Sequence, residues 1–190
     1  MNTPNKLTVF RMVLTPFYLL VMLWDFPHHY LVAAALFSVG ALTDFIDGKL
    51  ARKYNQITVF GKLLDPIADK MLTTAALLAF LTLGWCDVWV VMIVLTREFV
   101  VTSVRLIAST QNVVIPANIW GKAKTVSQML FSVVVMLLGE FHKEYDMFGR
   151  FESFPMAAVS KTLMWITAIL ALISGIIYVV KSKSKIDFSK

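Results

Sequence analysis

The sequence predicts an all-α fold: an integral membrane bundle of six helices with both termini in the cytoplasm. Three observations carry this reading. Of the 190 residues, 58% are hydrophobic and only 16% charged, and the mean hydropathy is +0.72. A soluble domain of this length could not hide that much apolar surface. The apolar runs are also too long for core helices. Ala157–Val180 carries one charge, Lys161, and is long enough to cross a hydrocarbon core about 30 Å thick. Finally, the basic residues concentrate in alternate connections, as they do in a chain threaded back and forth through a bilayer.

Taken in order, the spans are Leu7–Trp24, Tyr30–Ala51, Phe60–Gly84, Asp87–Ile107, Ile119–Leu138 and Ala157–Val180. The first has the look of a signal-peptide core, but Arg11 and Pro16 interrupt it and no convincing cleavage site follows, so it is expected to be retained. The Trp24–Tyr30 and Gly84–Asp87 connections have no Lys or Arg. The 49–62 connection has Lys49, Arg52, Lys53 and Lys62, and the tail has Lys181, Lys183, Lys185 and Lys190. The positive-inside rule then puts both termini in the cytoplasm. The polar 142–156 connection departs from the bias with Lys143 and Arg150, accompanied by Glu144, Asp146 and Glu152.

The net charge of +6 is therefore mostly a cytoplasmic skirt for membrane lipids with anionic headgroups. A nucleic-acid partner is not expected, despite an isoelectric point near 9.5. The single cysteine, Cys86, excludes an intrachain disulfide and a cysteine metal cage and reads as a small apolar filler. His28, His29 and His142 fall in outer connections and are expected to be solvated. No repeat, low-complexity segment or long linker divides the chain, so residues 1–190 read as one domain.

Four carboxylates break the apolar pattern: Asp44-x2-Asp47-Gly48-x2-Ala51-Arg52-x8-Gly61-x3-Asp65-x3-Asp69. Each would cost roughly 2.5–3.5 kcal/mol at the bilayer centre. Asp44 and Asp47 are three apart, and Asp65 and Asp69 four apart, so each pair shares a helix face. Two neighbouring helices joined by a short loop can present all four to one volume. Oxygen-only ligation suits hard cations such as Mg²⁺ or Mn²⁺, and four carboxylates suffice for two such ions about 3.5–4 Å apart. Gly48, Ala51 and Gly61 leave room on the same faces for a flat base, a ribose or a neighbouring backbone, and Arg52 can fork onto a phosphate. The plainer alternative is helix glue, in which the acids pair with Lys49, Arg52, Lys62 or Lys70. Simple pairing is a poor account of four acids, two glycines and an arginine in one face-matched register.

At these eight fixed positions the chain resembles the CDP-alcohol phosphotransferases. The resemblance implies six transmembrane helices, a two-metal site at the cytoplasmic face, commonly a homodimer, and transfer of a substituted phosphate from a CDP-linked donor to an alcohol with release of CMP. It implies a single CDP-alcohol phosphotransferase domain over residues 1–190. Further segments are similar to a bacterial branch of that family. These are Pro4-Asn5-Lys6-Leu7-Thr8 with Arg11, Thr43-Asp44, Phe60-Gly61-Lys62-Leu63-Leu64-Asp65-Pro66, Ala68-Asp69-Lys70, Arg97-Glu98 with Arg105, and Gly121-Lys122-Ala123-Lys124-Thr125 with Gln128. That branch uses CDP-diacylglycerol as donor and sn-glycerol 3-phosphate as acceptor, in the bacterial cytoplasmic membrane.

Site roles follow from the resemblance. Asp44, Asp47, Asp65 and Asp69 would hold the metals, and Asp69 would also be the general base. Asn5, Thr8, Thr43, Gly48, Ala51, Arg52, Thr58 and Gly61 would contact the donor. An anionic acceptor needs fixed cations, and Arg97, Arg105, Lys122 and Lys124 lie where such a pocket would form. Arg97 and Arg105 are separated by about 80° around a helix, so they share a side. Arg97 and Glu98 are adjacent and are expected to face apart, which leaves an aspartate on another span as the structural partner of Arg97. The structural role of Arg105, Lys122 and Lys124 would be snorkelling to the interface.

Other readings remain at this stage. The same chemistry accepts other alcohols, such as inositol phosphate, serine or phosphatidylglycerol. An aspartate-rich prenyltransferase would carry tighter DDxxD-like runs, which are absent. An ion or proton transporter would place acids near the midplane, usually with repeated or broken helices.

Overall fold

The computed structural model describes residues 3–53, 59–111, 113, 119–144 and 155–183. Six helices account for them: α1 (Thr3–Leu23), α2 (His29–Lys53), α3 (Val59–Thr82), α4 (Val88–Thr110), α5 (Ile119–Glu144) and α6 (Met156–Lys183). Each corresponds to one expected span.

The helices alternate in direction, as cross-bundle contacts show. The end of α1 meets the end of α5 through Asp25 and Lys143, while Asp87 before α4 meets Lys161 early in α6. Helix α1 packs on α2 and α3, α6 packs on α4 and α5, and α2–α5 and α3–α4 contacts join the two halves. The central core includes Tyr18, Phe37, Leu77, Phe80, Val90, Val94, Val135, Met136 and Met164, all nearly inaccessible.

The outside of the bundle is as apolar as its core. Phe17, Trp24, Trp89, Leu106, Ile119, Val126 and Val180 are all exposed. Apolar surface on this scale marks a body solvated by lipid. Three helices are long and apolar enough to cross a membrane, Asn5–Leu23, Ile119–Lys143 and Met156–Lys183, and shorter apolar stretches run through His29–Asp44 and Lys70–Thr82. The molecule is a membrane helix bundle.

Local chemistry sets the helix ends and contacts. Helix α3 stops before Gly84, whose φ of 73° is a left-handed conformation that glycine adopts without strain. The Trp85 and Cys86 amides then return to the Phe80 carbonyl at 2.8 and 3.2 Å. Gly40 lets α2 approach α3 closely: a methyl group there would lie 2.6 Å from a Leu72 methyl carbon. Cys86 is buried, and burial pushes its thiol up to about 11, so it is an inert filler.

Two expectations need correction. Helix α5 runs to Glu144 rather than ending near Leu138. Its added turns carry Glu140, only 2% exposed, which accepts from His28 Nδ1 at 2.7 Å and from the Leu31 amide at 3.2 Å. A buried acid with two donors has reason to stay helical and inside. The histidines are likewise not simply solvated. His28, although exposed, holds Glu140, His29 opens α2 and is buried, and His142 on the last turn of α5 is exposed.

Candidate active site

The acid pattern lies on two helices, as its spacing requires. Helix α2 carries Asp44, Asp47, Gly48, Ala51 and Arg52 in its last turns, and α3 carries Gly61, Asp65 and Asp69 in its first. The side chains of Asp47, Gly48, Ala51, Arg52, Gly61, Asp65 and Asp69 lie outside the described residues, and so does Thr58 altogether. Thr43 donates to the Gly40 carbonyl at 2.7 Å.

Asp44 is the one described aspartate of the four, and its surroundings are specific. Arg11 Nη1 meets its Oδ1 at 2.6 Å, with the Arg11 side chain 2% exposed. Asn5 and Thr8, expected as donor contacts, are buried on α1, at spacings of three that spread them with Arg11 over about 120° of one side of the helix. Helix α1 therefore brings polar residues to the acid end of α2. Among the described residues no group of three or more His, Cys, Asp or Glu is gathered as a metal site.

The donor set nevertheless fits a hard cation. Carboxylate oxygens are the ligands such ions select. Asp44 has a second oxygen, and each carboxylate offers about four lone-pair sites, so accepting from Arg11 does not prevent ligation. Arg11 also offsets the cost of keeping an acid in the membrane.

A second charged cluster lies between α4, α5 and α6. Glu98 Oε1 accepts from Arg97 Nη1 at 2.9 Å and also from Lys124 Nζ. Arg97 Nε donates to Ser174 Oγ at 3.1 Å, and the Ser174 hydroxyl in turn donates to the Ala171 carbonyl at 3.0 Å. Arg97 and Glu98 thus meet, although helix geometry points adjacent residues apart. Ser174 of α6 holds Arg97 on one side and Lys124 of α5 draws Glu98 from the other, so Glu98 is the acceptor that Arg97 and Lys124 share. Lys124 is 3% exposed, so it does not snorkel.

The structure brings Arg97 and Lys124 together, whereas Arg105 and Lys122 are exposed on α4 and α5. An apolar groove of about 500 Å³ runs beside Arg97 between α4 and α6, with Trp89, Met92, Val100 and Ile176 in its walls. A side-chain bond also ties α3 to α4. Lys70, the residue after Asp69, donates to Thr102 Oγ1, and Thr102 donates to the Glu98 carbonyl at 2.7 Å.

Sequence reasoning gave no role to Arg11, Glu98, Ser174 or Glu140. Arg11 and Glu98 carried a signal, since an ionisable residue inside an apolar span is functional by default, whereas Glu140 fell beyond the expected end of its span. Ser174 carried none.

Comparison with known proteins places this arrangement. The family model described as CDP-alcohol phosphatidyltransferase matches residues 1–173. A Bacillus subtilis protein named CDP-diacylglycerol–glycerol-3-phosphate 3-phosphatidyltransferase is 35% identical over 186 residues, covering 92% of this chain and 91% of the relative. A Rickettsia bellii protein of the same name is 34% identical over 177 residues, covering 93% of each. A Mycobacterium tuberculosis protein named probable phosphatidylglycerophosphate synthase is 36% identical over 185 residues, covering 95% of this chain and 81% of the relative. With its acid pattern on α2 and α3 and a family match across nearly all of its length, the chain belongs to the CDP-alcohol phosphatidyltransferase family.

Proposed function

We propose that this protein transfers the phosphatidyl group of CDP-diacylglycerol to sn-glycerol 3-phosphate, giving phosphatidylglycerophosphate and CMP. The carrying observation is the similarity along more than nine tenths of the chain to relatives named for this reaction. The geometry supports it. A lipid donor needs apolar surface beside a polar site, and the α4–α6 groove runs next to Arg97. An anionic acceptor needs fixed cations, and Arg97 and Lys124 are held together.

Members of the family generally depend on a divalent metal. Asp44, Asp47, Asp65 and Asp69 would hold two ions, Mg²⁺ or Mn²⁺, which when bound supply charge neutralisation at the donor's pyrophosphate. Arg52 and the small surface of Gly48, Ala51 and Gly61 orient the CDP part, with Asn5, Thr8, Thr43 and Thr58 as further contacts. Arg11 fixes the orientation of Asp44. Arg97 and Lys124 bind the acceptor's phosphate, while exposed Arg105 and Lys122 draw it in from solution. Asp69 takes the proton of the attacking hydroxyl. That proton transfer needs a heavy-atom separation of about 2.6–3.2 Å, or one intervening water. Positioning and charge neutralisation then account for most of the catalysis, and no covalent intermediate is required.

One catalytic domain spans residues 1–190. Both termini and the acid ends of α2 and α3 face the cytoplasm of a bacterial cell, in a multi-pass arrangement through the cytoplasmic membrane. This rests on the Lys and Arg residues of the 49–62 connection and the tail. The homodimer rests on the family resemblance alone.

The reading is tested with purified protein, CDP-diacylglycerol and glycerol 3-phosphate. Phosphatidylglycerophosphate and CMP should form in equal amounts, stop with EDTA and resume with Mg²⁺ or Mn²⁺. Full activity in chelator would remove the metal site.

A further inference from the structure

We infer that Glu98 is a positioning residue for the acceptor's phosphate, holding Arg97 and Lys124 as a preset pair of cations on one carboxylate oxygen. This rests on the proposal that those two cations bind glycerol 3-phosphate. Three features fix the pair. Glu98 Oε1 accepts from both Arg97 Nη1 and Lys124 Nζ. Ser174, itself anchored to the Ala171 carbonyl, takes the Nε edge of Arg97. The aliphatic stem of Arg97 passes so close to α6 that a methyl group at Gly175 would lie 3.0 Å from its Cγ. The guanidinium is thus fixed through Nε and Nη1, while Nη2 is directed toward Gly121 on α5, 3.4 Å from where a methyl group would stand.

The charge balance suits the role. Two cations and one carboxylate leave a net positive cluster, enough to attract a phosphate. The carboxylate also offsets the repulsion of two cations sharing a half-buried site. Helix α4, which carries Arg97 and Glu98, is also tied to α3. Thr102 joins the Glu98 carbonyl to Lys70, the residue after Asp69. Glu98 would therefore set where the acceptor's phosphate sits, and with it how the acceptor hydroxyl is presented to Asp69.

The test compares Arg97→Ala, Glu98→Gln, Glu98→Asp and the double variant Arg97→Ala/Glu98→Gln, measuring KM for each substrate, kcat and thermal midpoint. Losing a charge-assisted anchor should raise the KM for glycerol 3-phosphate about tenfold or more in Glu98→Gln. The KM for CDP-diacylglycerol should stay near that of the unmodified protein, while the thermal midpoint falls because two withdrawn cations lose their shared carboxylate. Glu98→Asp should recover part of the loss, and the double variant should be little worse than Arg97→Ala. If Glu98→Gln fails to fold, Ser174→Ala, which removes only the Nε anchor, should raise the same KM by a smaller factor. A raised acceptor KM in Arg97→Ala with no change in Glu98→Gln overturns the positioning role and leaves the acceptor assignment standing. No change in Arg97→Ala overturns both. An equal rise in both KM values in Glu98→Gln reduces Glu98 to helix glue and also overturns the inference.

Discussion

The two ends of this bundle both carry ion pairs, but they use them differently. At the end where α1 turns into α2 and α3 into α4, most pairs join exposed groups. Asp25 and Lys143 are 87% and 33% exposed, and Asp87 and Lys161 34% and 41%. Pairs of this kind contribute little to stability and serve to latch connections. At the other end the pairs are withdrawn from solvent. Arg11 is 2% exposed beside Asp44, and Arg97 and Lys124 are 11% and 4% exposed beside Glu98. Burying such charges carries a desolvation cost that packing alone would avoid. A chain that keeps them at one end is keeping them for chemistry, and that end carries the acid pattern.

The contrast can be broken or sharpened by substitution. The largest effect should come from Asp69→Asn, which removes the proposed base. Turnover should fall by about 10²–10⁴-fold, while CDP-diacylglycerol binding, followed by equilibrium titration, largely survives. Near-normal turnover would assign the proton to another group.

Next comes Arg11→Ala. Breaking a fully buried pair costs about 3–5 kcal/mol. Asp44 is 35% exposed, so solvent lowers the expected loss to roughly 1–3 kcal/mol. Donor affinity should weaken along with stability, because Asp44 loses its orientation.

Glu140→Ala provides the counterpart at the opposite end. It strands the Leu31 amide and His28, and should cost about 1–3 kcal/mol in denaturation while leaving both KM values unchanged. A selective change in substrate affinity from this variant would erase the distinction between the ends.

The smallest effect concerns pH. Hydrogen bonds from Lys143 to Asp25, and from Lys161 and then Trp165 to Asp87, hold those two carboxyls below the ordinary range. A carboxyl lowered on folding stabilises the protein above its unfolded value, and that contribution is lost as pH falls through the folded value. Asp25→Asn and Asp87→Asn should therefore be slightly less stable than the parent at neutral pH and converge with it in acid. Both groups are solvent-exposed, so the difference should be small.

What the sequence disclosed and what it hid follow from the range of the forces involved. The six helices were legible because apolar run length and loop charge are local properties. The acid pattern was legible because periodicity alone places Asp44 with Asp47 and Asp65 with Asp69. The contact of Arg11 with Asp44 was not, since it joins residues 33 apart in the chain and depends on how α1 packs against α2. Glu98 was misjudged for a similar reason. Helix geometry separates neighbours at their Cβ atoms, yet flexible side chains reconverge when other helices hold them, here Ser174 on α6 holding Arg97 and Lys124 on α5 drawing Glu98. Ser174 looked like any small residue of a packed helix. Its role exists only once α6 lies beside Arg97.

The comparison also separates the donor and acceptor parts of the site. The acids of α2 and α3, beside the polar residues of α1, are the part of the site proposed to take the CDP-linked donor. The cluster of α4, α5 and α6 is where the acceptor would be chosen. The most direct measurement offers purified protein CDP-diacylglycerol with glycerol 3-phosphate, inositol phosphate, serine or phosphatidylglycerol in turn, and follows CMP release together with the lipid product. The account predicts rapid CMP release and phosphatidylglycerophosphate with glycerol 3-phosphate alone. Preferred transfer to any other alcohol, or no acceptor-dependent release at all, would contradict it.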